Sequence, residues 1–192
     1  RPPRSTRFPY TTLFRSLPII IPQSAAGIAL LTVFGRNQFL GNMFFDVFGA
    51  PIDGTAIGII IAQVFVSMPF LIKASISAFD AVPFELEQVA QTLGAPPRSA
   101  FWRIALPLAS KGVMVGAVLA WARAAGEFGA VVIIAPTPET APVAAFNRFN
   151  SVGLVETGPL VALLILFSLA MFFLLQSAIR FLPTANPTEA RL

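Results

Sequence analysis

The chain has 192 residues, of which 56% are hydrophobic and only 11% are charged. This composition excludes an ordinary soluble globular protein and predicts an all-α membrane protein with several spans. Cysteine and histidine are both absent, which excludes disulfides and thiolate metal sites and removes the commonest general base and metal ligand.

The formal net charge of +4 comes entirely from four arginines within residues 1–16. The remaining nine basic residues balance nine acidic ones, so a nucleic-acid partner has no support. Residues 1–16 show no apolar periodicity and resemble the conceptual translation of a sequencing adapter. We predict that they are a non-native leader. A signal or transit peptide is the alternative, but an uninterrupted apolar core and a cleavage site are lacking.

Four stretches are predicted to cross the membrane. Residues 17–35 and 54–72 each contain nineteen residues without a charge, about the length that spans a bilayer core of roughly 30 Å. The third stretch, 108–135, is unusually long at twenty-eight residues, and the fourth, 157–179, has twenty-three uncharged residues. The tail at 183–192 is predicted to be disordered.

Polar residues interrupt the apolar stretches in two ways. Residues 36–53 mix aromatic side chains with turn formers and predict an interfacial connector, and residues 137–156 predict a second, polar connector. Gln23 and Ser24 lie inside the first apolar run. They either form hydrogen bonds between helices or line a solute path.

Small residues recur every four positions in the third span. This small-xxx-small pattern lets helix backbones approach closely and predicts dense packing against a helix of the same subunit or of a partner. The residues are Gly112, Gly116, Ala120 and Ala124.

Residues 83–107 form a polar segment that predicts two short helices joined at a bend, which we call the elbow. Pro83 suits a first helical turn, and Gly94 supplies the stop because glycine can adopt the left-handed conformation. The second helix begins near Pro97 and is predicted to end before Pro107. One apolar face of the first helix is predicted to comprise Leu86, Val89, Ala90 and Leu93.

The elbow resembles the cytoplasmic coupling loop of permease subunits of ABC importers. Gly94 is followed, after nine residues, by Ile104, Leu106 and Pro107, which matches the G-x9-I-x-L-P part of that loop. An ordinary amphipathic surface hairpin explains the apolar face but not this spacing.

Upstream, the family's E-A-A-x3-G pattern falls on residues 88–94 with two of its three named letters changed. Gln88 replaces the glutamate, and Glu87 lies one position earlier. In the family, the loop binds in a groove of a separate ATPase subunit. The resemblance therefore implies coupling residues Glu87, Gln88, Ala90, Gly94, Ile104, Leu106 and Pro107.

Lysine and arginine counts predict the orientation of the chain. The elbow side and the tail carry six such residues and the opposite side carries two, which places the elbow and the C-terminus in the cytoplasm. The six are Lys73, Arg98, Arg103, Lys111, Arg180 and Arg191, against Arg36 and Arg148.

Two charged residues lie inside the third predicted span. Arg123 and Glu127 are four positions apart and can meet on one helix face. Charges within a span are usually paired or face a wet cavity. One interpretation is a structural ion pair that tethers neighbouring helices. The other is that Arg123 shapes or gates an anion path, with Gly126 and Gly129 permitting a local break in the helix.

The run R-A-x-G-E-F-G-A at residues 123–130 narrows the resemblance to permeases of the molybdate, tungstate and sulfate group. Residues 146–149 and 151–154 are most similar to the tungstate and molybdate branch. The resemblance covers residues 17–182. Because family members commonly carry further spans before residue 17, the chain is predicted to be truncated at its N-terminus.

The resemblance implies a polytopic helical bundle in a bacterial or archaeal cytoplasmic membrane that imports a tetrahedral oxyanion. Its partners would be a second permease copy, a cytoplasmic ATPase dimer that binds ATP and Mg, and an extracytoplasmic substrate-binding protein. No G-x4-G-K-[ST] loop occurs in the chain, so this subunit is predicted to be neither an ATPase nor any other enzyme, and to hold no cofactor or metal.

Other assignments remain open. A sulfate or thiosulfate permease, or another ABC importer permease, would share the same motifs. A secondary transporter should show related halves with paired broken helices, and no convincing internal repeat is present. An intramembrane enzyme would have only serine, glutamate and arginine with which to form a catalytic site.

Overall fold

The computed structural model describes residues 21–180, which consist of helices and short connections without a strand. This confirms the predicted all-α class. The predicted leader at 1–16 and the tail at 183–192 lie outside the described residues. The helices are α1 (Gln23–Phe34), α2 (Phe39–Phe48), α3 (Ala56–Asp80), α4 (Phe84–Thr92), α5 (Pro97–Ala100), α6 (Leu106–Ala125), α7 (Val131–Ile134), α8 (Ala141–Val152) and α9 (Leu154–Arg180).

Three helices in the described part of the chain are long and apolar enough to cross a membrane. They are α3, the continuous helix Pro97–Ala125 and the segment Leu154–Ile179 of α9. The α3 helix runs beyond the predicted span 54–72 to Asp80. The first predicted span, 17–35, is described only from residue 21, and α1 covers twelve residues of it.

The predicted end of the second elbow helix before Pro107 is wrong. A π-helical segment, Phe101–Ala105, joins α5 to α6, and Leu106 N–H donates to Phe101 O five residues back. Proline lacks only its own N–H, and the wider π turn changes the local bonding just before that position. The helix therefore continues through Pro107, as membrane helices with prolines often do.

The third predicted span, 108–135, is not one helix. The α6 helix ends at Ala125, residues 126–130 form a turn, and the single-turn helix α7 follows. We call residues 126–130 the break. The carboxylate of Glu127 accepts a hydrogen bond from the N–H of Ala130 at 2.8 Å, and this local side-chain bond replaces the helical ladder at that point.

Each predicted connector contains a short helix that the sequence analysis did not assign. The α2 helix has ten residues and the α8 helix has twelve, both too short to cross a bilayer core. Gly41 allows α2 to lie against the backbone carbonyl of Gly35, because a Cβ at that position would overlap the Gly35 oxygen.

The described residues divide into two compact units, each considered by itself. The first unit comprises residues 21–69 and 121–170. In it, Gly27 of α1 approaches Ala130 so closely that an added Cβ would lie 2.9 Å from the Ala130 Cα. The buried core of this unit consists of Ala26, Leu30, Ile59, Ala62, Val66, Ala130, Val131, Ile134, Ala135 and Val143.

The second unit comprises residues 70–120 and 171–180 and contains the elbow. Here the small residues of α6 pack against α3. A Cβ added to Gly112 would lie 2.5 Å from Ala78 Cβ, and one added to Gly116 would lie 2.6 Å from Ala74 Cβ. The predicted dense packing at these two glycines is therefore present within the same chain.

Candidate functional site

The elbow begins with α4, and the chain turns at Gly94 directly after this helix, as predicted. Gly94 has a φ of +92°, a left-handed conformation that glycine adopts without steric cost. Gly94 N–H donates to Gln91 O, and Ala95 N–H donates to Ala90 O, both at 3.0 Å. This pair of bonds is a Schellman motif. Nothing lies within 4 Å of a Cβ at Gly94, so only its backbone conformation requires glycine.

The apolar face of α4 is largely uncovered in this chain. No residue of α4 is buried. Val89 is 57% exposed, and Leu93, just after the helix, is 83% exposed. Apolar side chains grouped on one face and left uncovered are typical of a surface that binds another protein or a membrane.

The second arm of the elbow, formed by α5 and the π-helical segment Phe101–Ala105, is packed on one side and exposed on the other. The Phe101 ring stacks on Phe79 near the end of α3, with centroids 5.8 Å apart. Trp102 meets Phe101 edge to face at 5.6 Å and is 65% exposed. Ala100 and Ala105 are buried, so this arm is held in place from one side while Trp102 remains available.

The predicted coupling residues lie along both arms of the elbow, all within the second unit. On α4, Glu87 and Ala90 are half-buried and Gln88 is exposed. Ile104 lies in the π-helical segment, and Leu106 begins α6. Both are half-buried, whereas Pro107 is exposed.

The second candidate site is the break with its ion pair, in the first unit. Arg123 lies in the last turn of α6, and its Nη1 is 2.6 Å from Glu127 Oε2. The Glu127 side chain is fully buried, whereas that of Arg123 is 23% exposed. The structure therefore brings together the two intramembrane charges that the sequence placed four positions apart.

The second carboxylate oxygen of Glu127 is also engaged. Its Oε1 accepts the Ala130 N–H at 2.8 Å, and Phe128 O accepts the Val132 N–H at 2.9 Å. Glu127 thus accepts the backbone N–H of Ala130, the residue that precedes α7. The carboxylate is held by a backbone donor and a cation, which offsets the cost of burying it.

The two glycines of the break have different surroundings. Gly126 is exposed, and a Cβ there would have only Ala122 O within 4 Å, at 3.7 Å. At Gly129 an added Cβ would lie 2.6 Å from Gln23 Cβ. Gly129 is therefore a contact point between the break and α1, whereas Gly126 has open space.

Sequence reasoning missed one polar contact at the end of α6. Gln63 Nε2 donates to Ala124 O at 3.2 Å, one of the last carbonyls of the helix, which have no partner within it. The only signal was a glutamine inside an apolar run. The bond from the Ala130 N–H to the Glu127 carboxylate had no signal, because hydrophobic periodicity does not show that a side chain will accept a backbone N–H.

The described residues hold no cluster of three or more acidic side chains that could bind a metal ion. The charged groups of the break are the Arg123 guanidinium and the Glu127 carboxylate, which act on a ligand through electrostatic attraction and repulsion. A partly exposed guanidinium, neutralised from the inside by a buried carboxylate, can attract an anion without forming a covalent bond to it.

Comparison with known proteins supplies the family. Residues 2–184 match the family described as the binding-protein-dependent transport system inner membrane component. The chain is 39% identical over 160 residues to the molybdate/tungstate transport system permease protein of Thermococcus kodakarensis, which covers 83% of this chain and 59% of that protein.

Two further relatives differ in their named solute. The molybdenum transport system permease protein of Escherichia coli (strain K12) is 36% identical over 84% of this chain and 72% of its own length. A probable sulfate transport system permease protein of Chlorokybus atmophyticus is 33% identical over 88% of this chain and 59% of its own length. The chain therefore spans about three-fifths of the length of the Thermococcus and Chlorokybus relatives.

Proposed function

Because the chain belongs to the family of inner membrane components of binding-protein-dependent transport systems, we propose that it is the membrane-spanning subunit of an ATP-driven oxyanion importer. Three membrane-length apolar helices agree with this family. Molybdate or tungstate is the proposed solute, since similar permeases from Thermococcus kodakarensis and Escherichia coli carry those names.

The observation that carries the proposal is the elbow. Its exposed apolar residues Val89, Leu93 and Trp102 offer a docking surface, and its second arm continues without interruption into the helix that ends at Ala125. A force applied to the elbow by an ATPase would act directly on the start of this helix. The Schellman turn at Gly94 fixes the direction in which the chain leaves α4.

In the proposed assembly, the elbow and the C-terminus face the cytoplasm, where two ATPase subunits bind ATP and Mg. A second copy of the permease completes the pathway, and an extracytoplasmic binding protein delivers the oxyanion. Closure of the ATPases around ATP would rotate the elbows and exchange inward for outward access, a rigid-body transition. The permease itself contributes no ATPase site.

Cross-linking from single cysteines tests where the ATPase docks. These 192 residues contain no cysteine, so Leu93→Cys introduces a thiol at an 83% exposed position, and any cysteine elsewhere in the permease is first replaced by serine. In membranes that contain the complete transporter, a short bifunctional reagent should link this thiol to the ATPase subunit. The matched control is Leu163→Cys, which is 63% exposed on the apolar α9 helix and should give no ATPase adduct.

An adduct at residue 163 but not at residue 93 would contradict the proposed docking surface. The transport activity itself is tested with the full-length permease, its ATPase and its binding protein in proteoliposomes. ATP-dependent accumulation of radiolabelled molybdate or tungstate is expected. Accumulation of neither, and of no other tetrahedral oxyanion, would refute the proposed function.

Sulfate is the second candidate solute, favoured by the similarity to the probable sulfate permease of Chlorokybus atmophyticus. A competition experiment distinguishes sulfate from molybdate or tungstate as the solute. An excess of unlabelled sulfate should leave molybdate uptake nearly unchanged if molybdate or tungstate is the solute, and should abolish it if the system carries sulfate.

A further inference from the structure

The ion pair at the break is asymmetric in its exposure. Glu127 has no exposed side-chain surface, whereas Arg123 is 23% exposed. Arg123 is also the only lysine or arginine between Lys111 and Arg148. The cation therefore reaches the surface of its unit, and its counter-charge stays inside.

The carboxylate is fixed more firmly than the guanidinium. Its Oε1 accepts the N–H of Ala130, and Ala130 and Val131 are both fully buried in the core. Gly27 of α1 packs directly against Ala130. One carboxylate oxygen of Glu127 is therefore bonded to the buried core, and the other lies beside the Arg123 guanidinium.

A transport path must bind its solute strongly enough to admit it and weakly enough to release it. An unpaired arginine in a poorly hydrated site would hold a dianion tightly, since guanidinium groups form paired hydrogen bonds with oxyanions. In this site a carboxylate oxygen lies 2.6 Å from Nη1 of Arg123 and offsets the charge of the guanidinium.

Building on the proposed oxyanion transport, we infer that Glu127 is a positioning residue that keeps the affinity of Arg123 for the passing oxyanion low. The buried carboxylate acts as a permanent internal anion on the inner side of the guanidinium. The oxyanion contacts the exposed side of Arg123 and leaves it readily, because the cation is already neutralised.

The test is Glu127→Gln in the full-length permease with its ATPase. Glutamine keeps an oxygen that can accept the Ala130 N–H but removes the charge. Equilibrium dialysis with radiolabelled molybdate, without the binding protein, should show binding about tenfold or more tighter than in the parent complex. In proteoliposomes with the binding protein, the maximal uptake rate should fall because release becomes slow.

Glu139→Gln is the matched control, since it removes the same charge from an exposed carboxylate that accepts a hydrogen bond from Asn147. Its molybdate binding should equal that of the parent. Arg123→Gln/Glu127→Gln, which lacks the cation, should lose the tight binding. A purely structural role of Glu127 would lower assembly or uptake without tightening anion binding.

An assembled Glu127→Gln complex that binds molybdate no more tightly than the parent overturns the inference while the proposed function stands. A parent complex that transports no tetrahedral oxyanion overturns both. If Glu127→Gln does not assemble, Glu127→Asp takes its place. It keeps the charge but withdraws it from Arg123, so binding should tighten by a smaller factor, and unchanged or weaker binding refutes the inference.

Discussion

The elbow and the break differ in what they expose and what they bury. The elbow leaves apolar side chains uncovered, with Leu93 83% exposed and no buried residue in α4. The break buries a carboxylate completely and provides its partners from the same chain. Substitutions in the elbow should therefore change the binding of a partner, whereas substitutions at the break should change the stability of the permease itself.

The largest loss of stability is expected from a substitution that leaves a buried charge unpaired near the break. Arg123→Met leaves the Glu127 carboxylate buried without a counter-charge, which should cost about 3–5 kcal/mol of stability. Thermal unfolding of the purified permease in detergent measures this loss. Arg123→Met/Glu127→Gln removes both charges and should recover most of it. A single variant as stable as the parent would show that the pair contributes nothing.

A smaller loss is expected where α6 packs against α3. Gly116→Ala would place a methyl group 2.6 Å from Ala74 Cβ, so a backbone must shift, at a cost of about 1–3 kcal/mol. Gly158→Ala serves as the control, because nothing lies within 4 Å of its added Cβ. Equal unfolding temperatures for the two variants would argue against the close approach.

A substitution at the bend of the elbow should uncouple ATP hydrolysis from uptake. Gly94→Val forces a β-branched residue to a φ of +92°, which costs about 1–2 kcal/mol or opens the turn. ATP hydrolysis by the complex should continue while uptake is lost. Gly94→Asn should be milder, because asparagine tolerates the left-handed region. A Gly94→Val permease that assembles and transports normally would rule out the need for a tight stop.

The smallest effect on stability is expected at Leu93. Since the side chain is exposed, Leu93→Ser should change the stability of the isolated permease by less than about 0.5 kcal/mol. It should nevertheless weaken co-purification of the ATPase, because an apolar anchor is lost. Glu85→Gln, exposed on the same helix, is the control and should leave the ATPase bound.

Sequence reasoning succeeded where one local rule decides the structure. Glycine at position 94 predicted the end of α4, and the observed left-handed φ confirms it. Uncharged runs predicted α3 and α9, because length and apolarity alone make a helix able to span a bilayer. The small residues at 112 and 116 predicted close packing, which is observed.

Sequence reasoning failed where two local tendencies compete. Pro107 was expected to end a helix, but a π turn at Phe101–Ala105 precedes it and the helix continues. Residues 108–135 were predicted as one span, and a local break at Gly126 and Gly129 was only one of two alternatives; the structure has a turn there, where the Glu127 carboxylate accepts the Ala130 N–H. A side chain that competes with the backbone for one N–H leaves no mark in hydrophobic periodicity.

By itself, the sequence determined the class of this protein, the two apolar spans at α3 and α9 and the turn at Gly94, because these depend on composition and on the conformational freedom of single residues. Only the tertiary structure decided that Arg123 meets a fully buried Glu127 and that Gly112 and Gly116 of α6 pack on α3 of the same chain. Those outcomes depend on which surfaces meet in space, and burial is a property of the folded chain rather than of any one segment.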